Sequence, residues 1–353
     1  MRQLTLGSLF DGIGGWQLAA VHAGIRPVWS SEIEAFPLQV TKKHFPQTRQ
    51  LGDIRNLDGM CLPPVDIICA GSPCQDLSVA GKQKGLAGER SGLFVKAVEL
   101  VRGMQQATFG RFPRYFVWEN VPGAFSSNQR KDFLAVLETI GGTSLPMPRS
   151  SRWASAGLVR TPVCDIAWRV LDARYWGVPQ SRKRIFLVAD FRAYERCAGK
   201  ILFEPEILCG NPPKEHRLQE ATPSASQGDA RSTSENGLNY FSQQKFGVYR
   251  DDSASSCLAH RDYKGTRDLV VGALAARDYK GVGTQYVTEG KCQVQGNRVR
   301  RLTPLEFERL QGLPDGWTAG GSDVARYKAI GNGMAQPCAD FVMQQIANAS
   351  KEP

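Results

Sequence analysis

Gly71-Ser72-Pro73-Cys74-Gln75 sets one cysteine just beyond the apolar run Val65 to Ala70. A run of that length bounded by glycine reads as a buried strand, and Pro73 and Gln75 take the chain out of the core. Cys74 is therefore a candidate nucleophile, whereas Cys61 and Cys69 read as inert thiols. The thiolate is the reactive form, and Lys82, Lys84 and Arg90 in the glycine-rich stretch to Gly92 supply a positive setting that raises its fraction. Glu119-Asn120-Val121-Pro122 ends a second apolar run, and in a parallel sheet its exit shares a rim with that of Cys74. With no histidine and acid pattern beside the cysteine, a protease triad is not signalled. A carboxyl group near a nucleophilic thiolate suits a ring whose nitrogen is held or protonated while sulfur adds to it. Gln180-Ser181-Arg182-Lys183-Arg184 brings Arg182 and Arg184 to one face of a strand, where they can meet the ring and a backbone phosphate.

A second set of residues suits a bound cofactor. Phe10-Asp11-Gly12-Ile13-Gly14-Gly15 follows the first apolar run and opens a helix, so its glycines permit a tight turn and close backbone approach. The order Phe-x-Gly-x-Gly-Gly departs from the dinucleotide fingerprint Gly-x-Gly-x-x-Gly. Glu32 ends the next strand about 20 residues on, where an acid accepts from two ribose hydroxyls. Asp53, in Gly52-Asp53-Ile54, can face an adenine amino group.

The elements that must position these residues alternate. Strands are expected at Leu4 to Phe10, Pro27 to Ser31, Val65 to Ala70, Tyr115 to Glu119, about Asp165 to Ala173, and Arg184 to Ala189. Helices are expected at Trp16 to Ala23, Phe36 to Phe45, Leu93 to Gln105 and Arg130 to Ile140. Such alternation implies a mostly parallel α/β sheet covered on both faces, with ligands at the carboxyl ends of its strands. From about 190 to 300 the composition turns polar, and Leu258 to Gly265 is echoed sixteen residues on by Leu274 to Gly281. Arg261 with Tyr263, and Arg277 with Tyr279, suit phosphate and base contacts, and the bland reading is a duplicated turn.

Composition narrows the classes. Residues 101–200 carry 16 basic and 7 acidic side chains, against 10 and 9 in 1–100 and 18 and 18 in 201–353, so the surplus of +10 is concentrated and suits a polyanion. Nine cysteines without a Cys-x-x-Cys pair and four scattered histidines signal neither a disulfide framework nor a metal site. No stretch approaches the ~18 apolar residues of a membrane span, and a soluble cytoplasmic protein is expected.

In order, FDGIGG, GSPCQ, ENV, QSRKR, RLTP and GNGM resemble the motifs of the bacterial and phage DNA (cytosine-5) methyltransferases. The resemblance implies a Rossmann-like S-adenosylmethionine domain at 1–189 plus 322–353 and a smaller, mostly β or irregular target-recognition domain at 190–321. It implies methyl transfer to C5 of a flipped cytosine in a short duplex sequence, with Cys74 adding to C6, Glu119 at N3, and Arg182 and Arg184 orienting the ring. Phe10, Gly12, Gly14, Glu32, Asp53, Pro73, Leu93, Asn332 and Met334 match cofactor positions, and Gln75, Ser78 and Lys82 lie in the loop expected near the DNA. Arg301 to Pro304 with Glu306 match an element that organises the recognition domain. Asp11, Ile33 and Gly333-Met334 depart from the family pattern, at the cofactor rather than at Cys74 or Glu119. A monomer acting on double-stranded DNA without metal or membrane is expected, and a cognate restriction endonuclease would be encoded elsewhere. The rivals are a tRNA cytosine-5 methyltransferase, whose Cys-Phe-Thr signature is missing here, a DNA-binding relative that has lost catalysis, and a nicotinamide-dependent oxidoreductase, which the glycine pattern and the Pro73-Cys74-Gln75 loop disfavour.

Overall fold

The computed structural model describes residues 2–72, 92–203 and 302–351, with the backbone of four strands between 241 and 301. In chain order the elements are β1 (Thr5–Leu9), α1 (Gly15–His22), β2 (Arg26–Ser31), α2 (Ala35–His44), β3 (Arg49–Gln50), β4 (Ile67–Ala70), α3 (Gly92–Ala107), β5 (Tyr115–Asn120), α4 (Lys131–Gly141), β6 (Ala156–Arg160), β7 (Asp165–Asp172), β8 (Lys183–Asp190) and α5 (Ala198–Leu202). Then come two hairpins, β9 (Phe241–Lys245) with β10 (Val248–Asp251) and β11 (Cys292–Gln295) with β12 (Arg298–Arg301). Three helices close the described chain: α6 (Pro304–Gln311), α7 (Asp323–Asn332) and α8 (Gln336–Ala349).

One eight-stranded sheet has the order β3-β2-β1-β4-β5-β8-β7-β6. From β3 to β5 every pairing is parallel, and the runs TLGSL and IICA are buried along their whole length, as strands covered on both faces must be. α3 turns Phe94, Ala97, Val98, Val101 and Met104 into the core, and α4 turns Phe133, Val136, Leu137 and Ile140, both at helical spacing. α8 packs against α1.

The far side differs from the expectation of a mostly parallel sheet. β8, β7 and β6 join it through three antiparallel pairings. The links from β6 to β7 and from β7 to β8 are short and carry no α-helix, which only antiparallel neighbours permit, whereas α4 lies in the longer link from β5 to β6. β6 and the two-residue β3 have no counterpart among the expected strands. β6 is an edge strand of alternating exposed and half-buried residues after a Pro/Ser-rich stretch, too weak a pattern to read unaided.

Packing divides the described residues into two compact units. One comprises 2–172, 183–203 and 333–351; the other comprises 173–182, 302–332 and the two hairpins. In the second, the Thr303 side chain caps the N-terminus of α6 and Glu306 reaches back to Thr303 N, the reciprocal arrangement that a Thr-x-x-Glu sequence encodes. The fully buried Glu308 carboxylate accepts from Gly316 N, Thr318 N, the Thr318 hydroxyl and Arg326. Gln180 donates to Leu310 O, and Arg182, also buried, donates to Gly331 O.

In the first unit Gly7 lies opposite Trp29, and a Cβ there would fall 2.2 Å from the indole. That ring is pinned by its own N–H to Pro63 O, so it cannot simply withdraw. Gly7→Ala should therefore cost about 1–3 kcal/mol through overpacking. Urea denaturation reads the loss, and an unchanged midpoint would mean that Trp29 has room to move.

Candidate active site on the sheet rim

The parallel strands all release the chain at one rim. At the exit of β1, Phe10 has a φ of 54°, a left-handed conformation unusual for a non-glycine residue, and Gly12 and Gly14 follow at 55° and 83°. The turn is closed by Asp11 N donating to Ser31 O and Gly14 N donating to Asp11 O. A Cβ on Gly14 would press on the Phe45 ring at 2.8 Å, whereas Gly12 faces open space. Across the turn, Glu32 Oε2 accepts from Gly12 N at 2.7 Å, and Oε1 accepts from Ile33 N and Glu34 N. Three backbone N–H groups thus orient this half-buried carboxylate and leave it acceptor capacity for a hydroxyl. Beside it Ile33 is 64% exposed, an apolar surface at the lip.

These features fit a nucleoside-bearing cofactor: an open glycine turn, an oriented acid and an apolar lip at the carboxyl ends of β1 and β2. Gly52 also faces open space. Asp53 next to it caps a 3-10 turn and pairs with Arg55 at 2.6 Å, which holds its carboxyl below the usual range. Met334 reaches this turn, its Cε lying 3.7 Å from where a Gly15 Cβ would be. Leu93 opens α3 half-buried against the core, and Asn332 ends α7, exposed, in the second unit.

Asp11 is buried in the same turn, with Oδ2 accepting from Gln17 at 2.5 Å. Burial, reinforced by the Glu32 charge, raises its pKa to about 7.

On the neighbouring strands, Arg184 Nε of β8 lies 3.1 Å from Glu119 Oε1 of β5, both side chains largely buried. The other oxygen, Oε2, lies 3.6 Å from where a Gly71 Cβ would be, so the carboxyl group faces the exit of β4. Two hydrogen bonds hold that exit: Trp118 Nε1 donates to Ser72 Oγ at 2.9 Å and Asn120 Nδ2 donates to Ser72 O at 3.0 Å. The Trp118 ring also meets Phe94 edge-on at 5.7 Å. One indole thus contacts the last described residue before the 73–91 stretch and the first turn of the helix after it.

Glu119 and Arg184 are brought together, and Phe10, Gly12, Gly14 and Glu32 form one turn. Arg182 lies in the second unit, bonded to Gly331 O. Pro73, Cys74, Gln75, Ser78 and Lys82, and likewise Arg261, Tyr263, Arg277 and Tyr279, lie outside the described residues. Ser72 and Trp118 were not legible as site residues, because their bond follows from the pairing of Ala70 with Trp118, a register that no local pattern encodes.

A sheet that is parallel from β3 to β5 and gathers a glycine turn, an oriented acid and an arginine-paired carboxylate on one rim fits the Rossmann-like methyltransferase class. The family profile described as C-5 cytosine-specific DNA methylase matches residues 4–348, and the chain belongs to that family. It is 28% identical to the type II methyltransferase M.NlaX of Neisseria lactamica, over 97% of this chain and 95% of that one. It is 30% identical, over 99% of its length, to a protein of Escherichia phage P1 named as a DNA N-6-adenine-methyltransferase, of which it spans 62%. Among solved structures, the Entamoeba histolytica methyltransferase EhMeth shares the fold, with a TM-score of 0.60 at 14% identity over the whole of both chains. No described helix is long and apolar enough to cross a membrane, and no described cluster of side chains could hold a metal ion.

Two outcomes are expected. Trp118→Phe keeps the ring but leaves the Ser72 hydroxyl without its donor, costing about 1–3 kcal/mol. Ser72→Ala in that background should add little, and additive losses in the double-mutant cycle would show that the two do not interact. Asp11 keeps its proton in the folded state up to about 7, while the unfolded chain releases it near 3.8. Folding stability should therefore fall as pH rises through that window, and Asp11→Asn should flatten the fall. Equal pH slopes for both proteins in urea titrations would exclude a proton at Asp11.

Proposed function

We propose that this chain methylates C5 of a cytosine flipped out of a specific short sequence of duplex DNA. The observation that carries the reading is the Glu119 carboxyl, paired with Arg184 and facing the exit of β4, from which the chain runs on to Cys74. The Cys74 thiolate attacks C6 of the ring, and the electron pair of the C5–C6 double bond moves toward C5. Glu119 holds N3 in the form that accepts this charge, and Arg184, with Arg182, orients the ring. S-adenosylmethionine, the donor general to such methyltransferases, supplies the electrophilic methyl group. Transfer of the C5 proton to water then restores the C5–C6 double bond and breaks the C6–S bond, expelling Cys74 as thiolate. C6 is out of reach inside a stacked duplex, so the base must leave the helix.

Glu32 receives the ribose hydroxyls of the donor. Phe10, Gly12, Gly14, Asp53, Pro73, Leu93, Asn332 and Met334 complete its site. Gln75, Ser78 and Lys82 meet the DNA beside the target, and 190–321 forms the target-recognition domain, with Arg261, Tyr263, Arg277 and Tyr279 as base or phosphate contacts. The chain acts as a cytoplasmic monomer on chromosomal or phage DNA, and any cognate endonuclease is a separate protein.

The phage P1 relative's name points instead to adenine N6, a reaction that needs no thiolate adduct. Whole-genome bisulfite sequencing of a host without cytosine methylation, expressing this protein or its Cys74→Ala variant, separates the readings. A protected cytosine in one recurring sequence, lost in the variant while DNA binding is kept, is the expected result. Methylated adenine without protected cytosine, or methylated tRNA alone, would overturn it.

A further inference from the structure

Residues 121–155 carry four basic side chains, Arg130, Lys131, Arg149 and Arg152, and two acidic ones, Asp132 and Glu138. Both acids are engaged locally: Asp132 Oδ1 accepts from Asn128 Nδ2 at 3.0 Å, and Glu138 Oε1 accepts from Leu145 N at 2.9 Å. The exposed side chains of Lys131, Arg149 and Arg152 make no ion pair or hydrogen bond with any described residue. Arg160 on β6, by contrast, lies 3.4 Å from Asp165 and is already neutralised.

The two turns that carry these cations are welded together. Arg130 donates through its guanidinium to Ser151 O at 2.7 Å, and its own carbonyl accepts from Trp153 Nε1 at 2.9 Å. Asn128, Gln129 and Arg130 all have positive φ, at 46°, 55° and 72°, and Ser151 has 51°. Four non-glycine residues in that region hold only where surrounding contacts over-determine them. Those contacts are rings: Phe133 meets Phe125, Trp153 and Trp168 edge-on at 4.7, 5.0 and 5.4 Å.

Topology gives its position. β5 runs toward the rim and ends at Asn120; β8 returns, β7 runs outward again, and β6 starts at the rim with Ala156. The turn 149–153 thus feeds β6 at the same rim as Glu119, and Ala156 itself sits three strand spacings along the sheet, or roughly 14 Å at ~4.8 Å each. A duplex laid along this rim would pass about four base pairs over that distance, at ~3.4 Å each.

We infer that the turns 127–131 and 149–153 form a preorganised cationic platform that grips backbone phosphates of duplex DNA flanking the methylated sequence. The inference rests on the DNA reading above. Its contribution is to register and affinity and is independent of sequence, because phosphates carry no base identity. Preorganisation lowers the entropy lost when three long side chains are immobilised against DNA.

The test is Lys131→Gln with Arg149→Gln and Arg152→Gln in the full chain, with Tm as a check on folding. Binding is measured by fluorescence anisotropy on a duplex carrying the methylated site within long flanks, across a salt series. Each lost phosphate contact lowers the slope of log K against log salt by about 0.9, so a drop of about 2–3 is expected. The KM for DNA should rise about tenfold at unchanged kcat, as expected for binding made equally in ground and transition states. On a duplex trimmed to roughly two base pairs outside the site, wild type and variant should bind alike, since the trimmed flank stops short of the platform. An unchanged slope on the long duplex overturns the inference, as does an equal loss on both duplexes. Failure of the wild-type protein to bind any duplex DNA would overturn the DNA reading itself, and tight binding of an RNA duplex in its place would assign the platform to RNA. Where the triple variant is less stable, Arg149→Gln with Arg152→Gln alone should lower the slope by about 2, and no change there overturns the inference equally.

Discussion

The parallel pairing of β4 with β5 is the constraint on which the rest of the site depends. With Ala70 opposite Trp118, the residues just past β4, Gly71 and Ser72, become neighbours of Glu119 and Asn120 at the end of β5. The bare Cα of Gly71 leaves the Glu119 carboxyl a clear face, and Ser72 is tied to β5 through both its hydroxyl and its carbonyl. The chain that continues to Cys74 therefore departs from a fixed point beside the carboxyl group. Shifting the register by one residue would turn Trp118 away from Ser72 and Glu119 into the core, since strand side chains alternate.

The glycine-turn side of the rim is built differently, from backbone rather than from side-chain pairing. Phe10 and two glycines in left-handed conformations fold the chain back on itself, and Glu32 is oriented by three amide donors. Placing Asp11 in this turn puts a carboxyl group in the core, where burial favours its neutral form. A neutral acid next to the Glu32 carboxylate avoids a pair of like charges at close range, consistent with an aspartate being tolerated where the resemblance leads one to expect a small residue.

The antiparallel half of the sheet extends the rim beyond the pair of Glu119 and Arg184. β8 carries Arg184 to Glu119, and the β6 edge brings the Trp153 segment against α4. A parallel continuation would have required long crossover helices over this edge. The basic turns 127–131 and 149–153 flank α4 in the β5–β6 connection and hold four of the sixteen basic side chains of residues 101–200.

Much of this was written in local sequence. Buried parallel strands read as continuous apolar runs, α3 and α4 as helical stripes, and the chemistry of Cys74, Glu119, Glu32 and the glycine turn follows from residue type and strand exits, because backbone conformation and burial depend on near neighbours. The six ordered motifs carried the family for the same reason. Only the tertiary structure decided the direction of the last three strands, the two-residue β3, the partner of Arg182, the Trp118 bond to Ser72, and the weld between Arg130 and Trp153. Each of these turns on which strand lies beside which, and in what register. That choice is made by the summed packing of the sheet and its helices, and no window of a dozen residues contains it.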